Sequence, residues 1–262
     1  MNNTSRDGHP KDAEDTAIDW DFLLNEDPQN LLNGHWSQMV WRCFSKYIPD
    51  KGRILEVGCG TGRITVQAVR DGQVDAVGID ISSSSLRYAR GLAASVGVRC
   101  QFIQASGFQL PFKDDSYDAV VSEGVIEHFS VRGTEAMVGE HVRVCRPGGL
   151  VIISVPNLLH LPLTYHKQRL AEKYHAYPER SYTVWGLKDL LRCHGLQPVA
   201  CDGFAPSMGL QWVVSSRVRL RWLDNLRWGL LMSLIGFETL VAARKPWGST
   251  LEISATAQRP RC

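Results

Sequence analysis

A short apolar run that leads directly into a glycine-rich turn constrains the fold of this chain more than any other feature. Residues 54–57 read Ile-Leu-Glu-Val, and glycines follow at alternate positions, Gly58, Gly60 and Gly62. Such a run predicts a buried strand, and glycines let the backbone approach a ligand without Cβ clashes. Residues 64–70 then predict a helix whose first N–H groups face the turn. We therefore expect this turn to hold a nucleotide-like cofactor.

The alternation of apolar runs and helix-sized segments continues along the chain. After a strand predicted at residues 74–80, the serines at 82–85 are typical of a helix start, and the helix extends to about residue 96. Further strands are predicted at residues 98–104, 117–122, 149–155, 197–204 and 237–243. Further helices are predicted at residues 30–47, 131–145 and 184–194. This order is typical of a doubly wound α/β fold with a parallel sheet.

A single domain is expected over residues 30–247, because no linker rich in proline, glycine or serine interrupts residues 30–205. The first 29 residues begin with a polar, acidic stretch that lacks an apolar core, so we expect a disordered tail there and no signal peptide. A second tail is expected at residues 248–262.

Charge and cysteine usage limit the partners of this domain. With 29 basic and 27 acidic residues the formal charge is only +2, so no global field favours nucleic acid. The seven cysteines are scattered, odd in number and never form a C-x-x-C pair. Reduced thiols in the cytoplasm fit this pattern better than a disulfide framework or a zinc site, and we expect no metal.

The second predicted strand ends in a carboxylate, Asp80, which lies eighteen residues after Gly62. In a doubly wound sheet an acidic side chain at this position can accept hydrogen bonds from both hydroxyls of a ribose. The dehydrogenase pattern G-x-G-x-x-G requires a small residue at position 63, which is Arg63 in this chain. A nicotinamide oxidoreductase is therefore a disfavoured alternative, and a cofactor without phosphates is favoured.

Five ordered motifs extend this pattern through most of the domain. They are ILEVGCGTG at residues 54–62, GID at 78–80, LPFKDDSYDAVV at 110–121, IEHF at 126–129 and RPGGL at 146–150. Together they resemble the class I S-adenosylmethionine-dependent methyltransferases, particularly the small-molecule branch that includes ubiquinone and menaquinone biosynthesis enzymes. The resemblance runs from about residue 51 to residue 204.

This resemblance implies a Rossmann-like sheet of seven strands, mostly parallel with the last strand antiparallel, and S-adenosylmethionine as the cofactor. The cofactor-binding residues that it implies are Glu56, Gly58, Cys59, Gly60, Gly62, Asp80, Ile81, Ser106, Gly107 and Glu123. By the same resemblance, Glu56 and the glycine turn hold the methionine end of the cofactor, Asp80 binds the ribose hydroxyls, and Ile81 packs against the adenine.

Two of these positions carry an alternative interpretation. The family often has an acidic residue near the adenine amino group where this chain has Ser106, although a serine can still form a hydrogen bond. Glu123 follows the fourth strand and is either a cofactor contact on the methyl-donor side or a surface carboxylate.

Transfer of a methyl group from a sulfonium is an in-line displacement, so alignment of two bound reactants supplies much of the acceleration. An oxygen acceptor also needs a base, whereas an amine or an activated carbon needs only positioning and desolvation. His128 is the candidate catalytic base, because it follows the fourth strand and histidine titrates near neutral pH. The alternative is that Glu127 and His128 brace the core. His160 and His166 are predicted in an acceptor-side loop.

Residues 212–235 predict a helical insertion between the last two strands. Its apolar stripe would contain Leu223, Leu226, Leu230 and Leu234, and its polar face Arg217, Arg221, Asp224 and Asn225. Such a basic, tryptophan-bearing helix could contact an anionic membrane surface, cover a lipid-like acceptor, or simply cover the core. The ten uncharged residues between Arg227 and Glu238 are fewer than the roughly twenty that span a bilayer.

The sequence thus predicts a methyltransferase that uses S-adenosylmethionine to methylate a small, hydrophobic or lipid-like molecule, with oxygen as the first guess for the acceptor atom. The alternative is a non-catalytic, S-adenosylmethionine-binding or scaffold protein of the same fold. We expect a cytoplasmic protein with at most peripheral membrane contact through residues 212–235.

Overall fold

Seven strands form a single sheet in the order β3-β2-β1-β4-β5-β7-β6. The computed structural model describes residues 28–169, 179–208, 221–225 and 229–248. The strands are β1 (Lys51–Val57), β2 (Gln73–Asp80), β3 (Gln101–Gln104), β4 (Tyr117–Glu123), β5 (Cys145–Pro156), β6 (Gln197–Phe204) and β7 (Glu238–Arg244). Strands β1 to β5 pair in parallel, and β7 runs antiparallel to both β5 and β6. The predicted Rossmann-like α/β fold with an antiparallel last strand is confirmed.

Helices cover both faces of this sheet. They are α1 (Pro28–Asn33), α2 (His35–Phe44), α3 (Arg63–Asp71), α4 (Ser83–Ser95), α5 (Val131–Val144), α6 (Leu161–Arg169), α7 (Val184–Cys193) and α8 (Gly229–Ile235). Three of them begin at a side-chain cap: Ser82, Ser130 and Thr183 accept hydrogen bonds from the backbone N–H groups at the starts of α4, α5 and α7. Caps satisfy N–H groups that have no partner inside the helix, which fixes where each helix begins.

The core has two apolar layers because successive strand residues point to opposite faces. Leu55, Val120 and Ile153 belong to the layer that α5 and α7 cover. Ile54 and Val121 belong to the opposite layer, which the apolar face of α2 and the start of α3 cover; its members also include Ile152, Leu240 and Phe204. With both faces covered, the polar carboxyl ends of the parallel strands are left for a site.

The element boundaries differ from the prediction in several places, of which three are the clearest. The helix predicted at residues 30–47 is two helices, because Gly34 is extended (φ −60°, ψ 143°) and separates α1 from α2. Strand β3 is confined to the last four residues of the predicted run. Strand β5 begins at Cys145 rather than at residue 149, because Cys145 already pairs with Tyr117 ahead of the register shift in β4.

The stripe predicted over residues 212–235 is wrong at two positions, although part of that segment lies outside the described residues. Asp224, expected on a solvated face, is buried in the short 3₁₀ turn Arg221–Asn225. It accepts hydrogen bonds from Ser207 N at 3.0 Å and Ser207 Oγ at 2.6 Å, and it lies 2.8 Å from His35 Nε2. Leu230, expected in the apolar stripe, is 59% exposed. In the described parts of the segment, the turn Arg221–Asn225 contacts α2 and Ser207, and helix α8 packs against β6. Within the described ranges, every helix is too short or too polar to cross a lipid bilayer.

Candidate functional site

The glycine turn after β1 forms one side of an open site at the carboxyl edge of the sheet. Gly58, Gly60 and Gly62 all have positive φ angles, of 69°, 49° and 73°. A Cβ on Gly58 would lie 2.6 Å from the Val125 side chain, so this glycine is required for packing. A Cβ on Gly60 would meet nothing within 4 Å. The backbone at Gly60 therefore faces empty space that a ligand could fill.

Asp80, at the end of β2, is held against this turn by its own carboxylate. Its Oδ2 accepts a hydrogen bond from Gly60 N at 2.8 Å, and its Oδ1 accepts one from Ser82 N at 2.8 Å. Each carboxylate oxygen has two lone pairs, so both oxygens retain capacity for ligand hydroxyls. Ile81 follows at the same edge and is 40% exposed, a large apolar side chain open to an aromatic ring.

Glu56, in β1, is buried and tied to the first turn of α3. Its Oε2 accepts both the Thr65 N–H at 2.8 Å and the Thr65 hydroxyl at 2.5 Å. Burial raises the pKa of Glu56 to about 8, although these two hydrogen bonds oppose the shift. Among the described residues Oε1 has no hydrogen-bond partner, so it is the atom that could contact a ligand. Cys59 lies beside it in the turn as a buried free thiol.

The turn after β3 contributes Ser106 and Gly107 at the same edge. Ser106 Oγ accepts a hydrogen bond from Phe108 N at 3.3 Å, which fixes the hydroxyl within the turn. A Cβ on Gly107 would lie 3.0 Å from Met137 Cε and 3.1 Å from Val57 Cγ1. The absence of a side chain at Gly107 thus lets this turn approach the core closely.

Carboxylates gather where β4 ends and β7 begins. Glu123 Oε2 lies 4.0 Å from Arg63 Nε, and both side chains are mostly buried. Glu238, at the first position of β7, is buried and accepts a short hydrogen bond from Ser154 Oγ. Burial raises the pKa of Glu238 well above its usual range, and the Glu123 and Glu127 carboxylates raise it further, while Arg63 opposes them.

Glu238 was not among the predicted site residues, and Arg63 was considered only because it departs from the dehydrogenase pattern. A carboxylate at the start of an otherwise apolar strand was the available signal for Glu238, but its neighbours come from β4 and β5. In the sequence, Arg63 disfavours the dinucleotide-binding fingerprint. In the structure, its guanidinium also lies near the Glu123 carboxylate.

His128 lies at the carboxyl edge in the 3₁₀ turn Ile126–His128, after β4. Its Nε2 is 3.9 Å from Glu127 Oε1, and the two side chains are only 9% and 2% exposed. This position suits either a base or a brace for the core.

His160 follows β5, in the loop that was predicted on the acceptor side. It is buried, with Nδ1 3.1 Å from the Ile235 carbonyl and Nε2 2.7 Å from the Met208 carbonyl. Burial lowers its pKa. The ring joins α8 to the turn after β6, and both of its nitrogens lie close to backbone carbonyls. The side chain of His166 lies outside the described residues.

The cysteines are mostly thiols, as expected. Cys43, Cys59, Cys100, Cys145 and Cys201 are free. Cys193 is disulfide-bonded, in contrast to the expectation of reduced thiols. An odd number of scattered cysteines still allows one disulfide. Across the described ranges, no group of three or more histidine, cysteine, aspartate or glutamate side chains is arranged to hold a metal ion.

A methyltransferase domain family matches residues 54–149, the stretch that contains the glycine turn, Asp80 and His128. Ajmaline N-methyltransferase from Rauvolfia serpentina is 31% identical over 133 residues, which are 47% of this chain and 45% of that protein. Residues 54–149 thus match a methyltransferase domain, in agreement with the resemblance to class I S-adenosylmethionine-dependent methyltransferases.

Solved structures share the fold of this chain. A possible histamine N-methyltransferase from Thermotoga maritima superposes with a TM-score of 0.61 at 18% identity, covering 83% of this chain and 93% of that chain. Magnesium protoporphyrin IX methyltransferase from Synechocystis PCC 6803, solved with bound SAH, gives a TM-score of 0.55 at 16% identity, covering 83% of each chain. The chain spans less than half the length of the curated relatives that it matches.

Proposed function

We propose that this protein transfers a methyl group from S-adenosylmethionine to a small molecule. The observation that carries the proposal is the open face of Gly60 beside the Asp80 carboxylate, inside a class I methyltransferase domain. Bound there, the cofactor supplies an electrophilic methyl group on a sulfonium. The protein then has to hold two reactants in line and exclude water.

The cofactor side of the site follows from the strand ends. Asp80 accepts hydrogen bonds from the ribose hydroxyls, and the exposed Ile81 side chain packs on the adenine. The Ser106 hydroxyl replaces the acidic residue that the family often uses near the adenine amino group. Glu56 Oε1 and the glycine turn bind the methionine end, and Glu123 lines the methyl-donor side.

For the acceptor side we propose a small, hydrophobic molecule with an oxygen acceptor as the first candidate. His128 then removes the proton from the acceptor hydroxyl, since its imidazole lies at the same edge of the sheet. Membership of the quinone-biosynthesis branch stays a prediction.

An amine acceptor is the second candidate, and a specific observation favours it. Glu123 at the end of β4 and Glu238 at the start of β7 lie on either side of β5, with Arg63 as the cation near them. Carboxylates in a low-dielectric site attract a cationic amine and can accept its proton. The named relatives include N-methyltransferases, which is consistent with this candidate.

Incubation of the purified protein with methyl-labelled S-adenosylmethionine and a metabolite extract, followed by mass spectrometry, tests the proposal. Labelled product with one added methyl group is expected, and its fragmentation assigns the acceptor atom. Calorimetric binding of the cofactor without turnover on any extract would favour the non-catalytic rival. Tight NAD binding would favour the oxidoreductase alternative.

The peripheral contact proposed for residues 212–235 needs a separate test. Co-sedimentation with anionic liposomes at low salt, lost at high salt, is the expected behaviour of a basic interfacial segment. Failure to co-sediment at low salt would exclude the contact.

A further inference from the structure

A short extended segment, Arg180–Tyr182, lies across the carboxyl ends of β4 and β5. Tyr182 forms a parallel bridge with Asn157, with Tyr182 N donating to the Pro156 carbonyl and Leu158 N donating to the Tyr182 carbonyl, each at 2.9 Å. Arg180 N donates to the Glu127 carbonyl at 2.9 Å. This segment therefore joins the turn after β4 to the end of β5.

Arg180 binds the His128 turn twice. Besides its backbone bond to the Glu127 carbonyl, its Nη2 donates to the Phe129 carbonyl at 2.7 Å. These are the carbonyls of the residues immediately before and after His128. One residue, fifty-one positions away in sequence from Phe129, thus holds the backbone on both sides of the candidate base.

Two further contacts fix the guanidinium itself. Its Nη1 donates to the Tyr182 hydroxyl at 3.2 Å, and Arg180 Cζ lies 5.8 Å from the centre of the Tyr182 ring. A planar guanidinium with several fixed donors satisfies two acceptors at once, which a lysine ammonium on a flexible stem does less well. The geometry at Arg180 is therefore preorganised.

The other anchors of the turn come from α5 and from the turn after β3. Thr134 Oγ1 donates to the Ile126 carbonyl at 2.9 Å. The Phe129 ring packs edge-on against Phe108, with centroids 4.9 Å apart. Arg180 adds an anchor from the extended segment that is bridged to the residue after β5.

We propose that Arg180 is a positioning residue for His128, holding the turn so that the imidazole faces the acceptor. This inference rests on the proposed function, in which His128 is the base. Loss of the guanidinium frees the Phe129 carbonyl, and a misplacement of about 1 Å at a reacting group can cost about 100-fold in rate.

Arg180→Ala and Arg180→Lys test this role, with Arg192→Ala as the matched control. Arg192 is on α7 in an exposed ion pair with Asp189, so its removal changes the net charge by the same amount. We expect Arg180→Ala to lower kcat at least tenfold with the dissociation constant of S-adenosylmethionine changed less than threefold. Lysine should restore part of kcat, and Arg192→Ala should match the wild type.

Two readouts separate positioning from general loss of structure. The pH dependence of kcat, and the His128 midpoint followed by NMR titration, should both move in Arg180→Ala and remain in place in Arg192→Ala. If Arg180→Ala does not fold, Tyr182→Phe removes one partner of the guanidinium and should shift the same midpoint by a smaller amount.

Unchanged kcat and an unchanged His128 midpoint in a folded Arg180 variant would overturn the positioning role while leaving the proposed function intact. Absence of methyl transfer by the wild-type protein would overturn the proposed function instead. In that case the NMR midpoint still decides whether Arg180 controls the environment of His128.

Discussion

The two halves of the carboxyl edge are built in different ways. The first half, at the ends of β1, β2 and β3, is made of backbone turns, such as the one at Gly60, and of side chains within about twenty-five residues of Asp80. Ile81 and Ser106 are examples of these side chains. The second half, at the ends of β4 and β5 and the start of β7, is assembled from distant segments. Ser154 and Glu238 are 84 positions apart, and Phe129 and Arg180 are 51 apart.

This contrast has a chemical basis. A cofactor with a constant shape can be bound by a constant local motif, in which glycine conformations and one carboxylate suffice. An acceptor varies between proteins, and binding residues are often on loops, so we propose that the second half contacts the acceptor. Specificity should therefore respond to changes in the second half, and cofactor affinity to changes in the first.

The largest expected effect is in the second half. If His128 acts as a base, His128→Ala lowers kcat about 100-fold or more, because general base catalysis typically contributes at least that factor. The dissociation constant of S-adenosylmethionine should not change. Steady-state kinetics combined with calorimetry measures both quantities, and full turnover by the variant would remove His128 from the mechanism.

A smaller effect is expected in the first half from Asp80→Ala. The variant loses the acceptor for two ribose hydroxyls and for Gly60 N, and charge-assisted hydrogen bonds of this kind are worth about 2 kcal/mol, or about 30-fold in affinity. Asp75→Ala on the exposed part of the same strand is the control. Equal cofactor affinity of the two variants, measured by calorimetry, would contradict the assignment of Asp80.

The Gly60→Ala variant tests whether a side chain at this position blocks ligand binding or only strains the backbone. Its Cβ would enter the empty space beside the turn, so affinity for S-adenosylmethionine should fall about tenfold, equivalent to about 1.4 kcal/mol. Gly97→Ala is the matched control, since Gly97 also has a positive φ, of 72°, and open space around its Cα. Both variants should lose similar thermal stability, but the control should keep its affinity. A loss of affinity in both would mean that strain alone weakens binding.

The smallest effect concerns pH and stability. The pKa of Glu56 is about 8 in the folded protein against an ordinary value of 4.5, so the folded state binds this proton more tightly than the unfolded chain. The contribution of Glu56 to the free energy of unfolding is therefore fully present below about pH 4.5 and is lost as the pH rises through about 8. Glu238, whose pKa is also raised, acts in the same direction.

Glu56→Gln should accordingly flatten the decline in unfolding free energy between pH 5 and pH 8. Denaturant unfolding at several pH values measures it, with Asp75→Asn as an exposed control. An identical pH dependence in wild type and Glu56→Gln would show that Glu56 does not bind a proton preferentially in the folded state.

Local patterns predicted much of the fold because their physics is local. The strand before Gly58, the cap at Ser82 and the helix end before Gly195 depend on residues a few positions apart, and each prediction agrees with the structure. The break at Gly34 was missed because the apolar spacing continues across it. The stripe over residues 212–235 was wrong at Asp224, since its partners Ser207 and His35 lie outside that segment.

The sequence by itself determined the α/β alternation, the methyltransferase-like motifs and the glycine turn beside Asp80, because periodicity, backbone conformation and strand-end carboxylates act over short distances along the chain. Only the tertiary structure decided which side chains meet in the second half. Glu238 with Ser154, His160 with two carbonyls, and Arg180 with the His128 turn are each pairs brought together by strand order and burial. Burial also sets their electrostatics, because the pKa of a carboxyl or an imidazole depends on the neighbours that replace water.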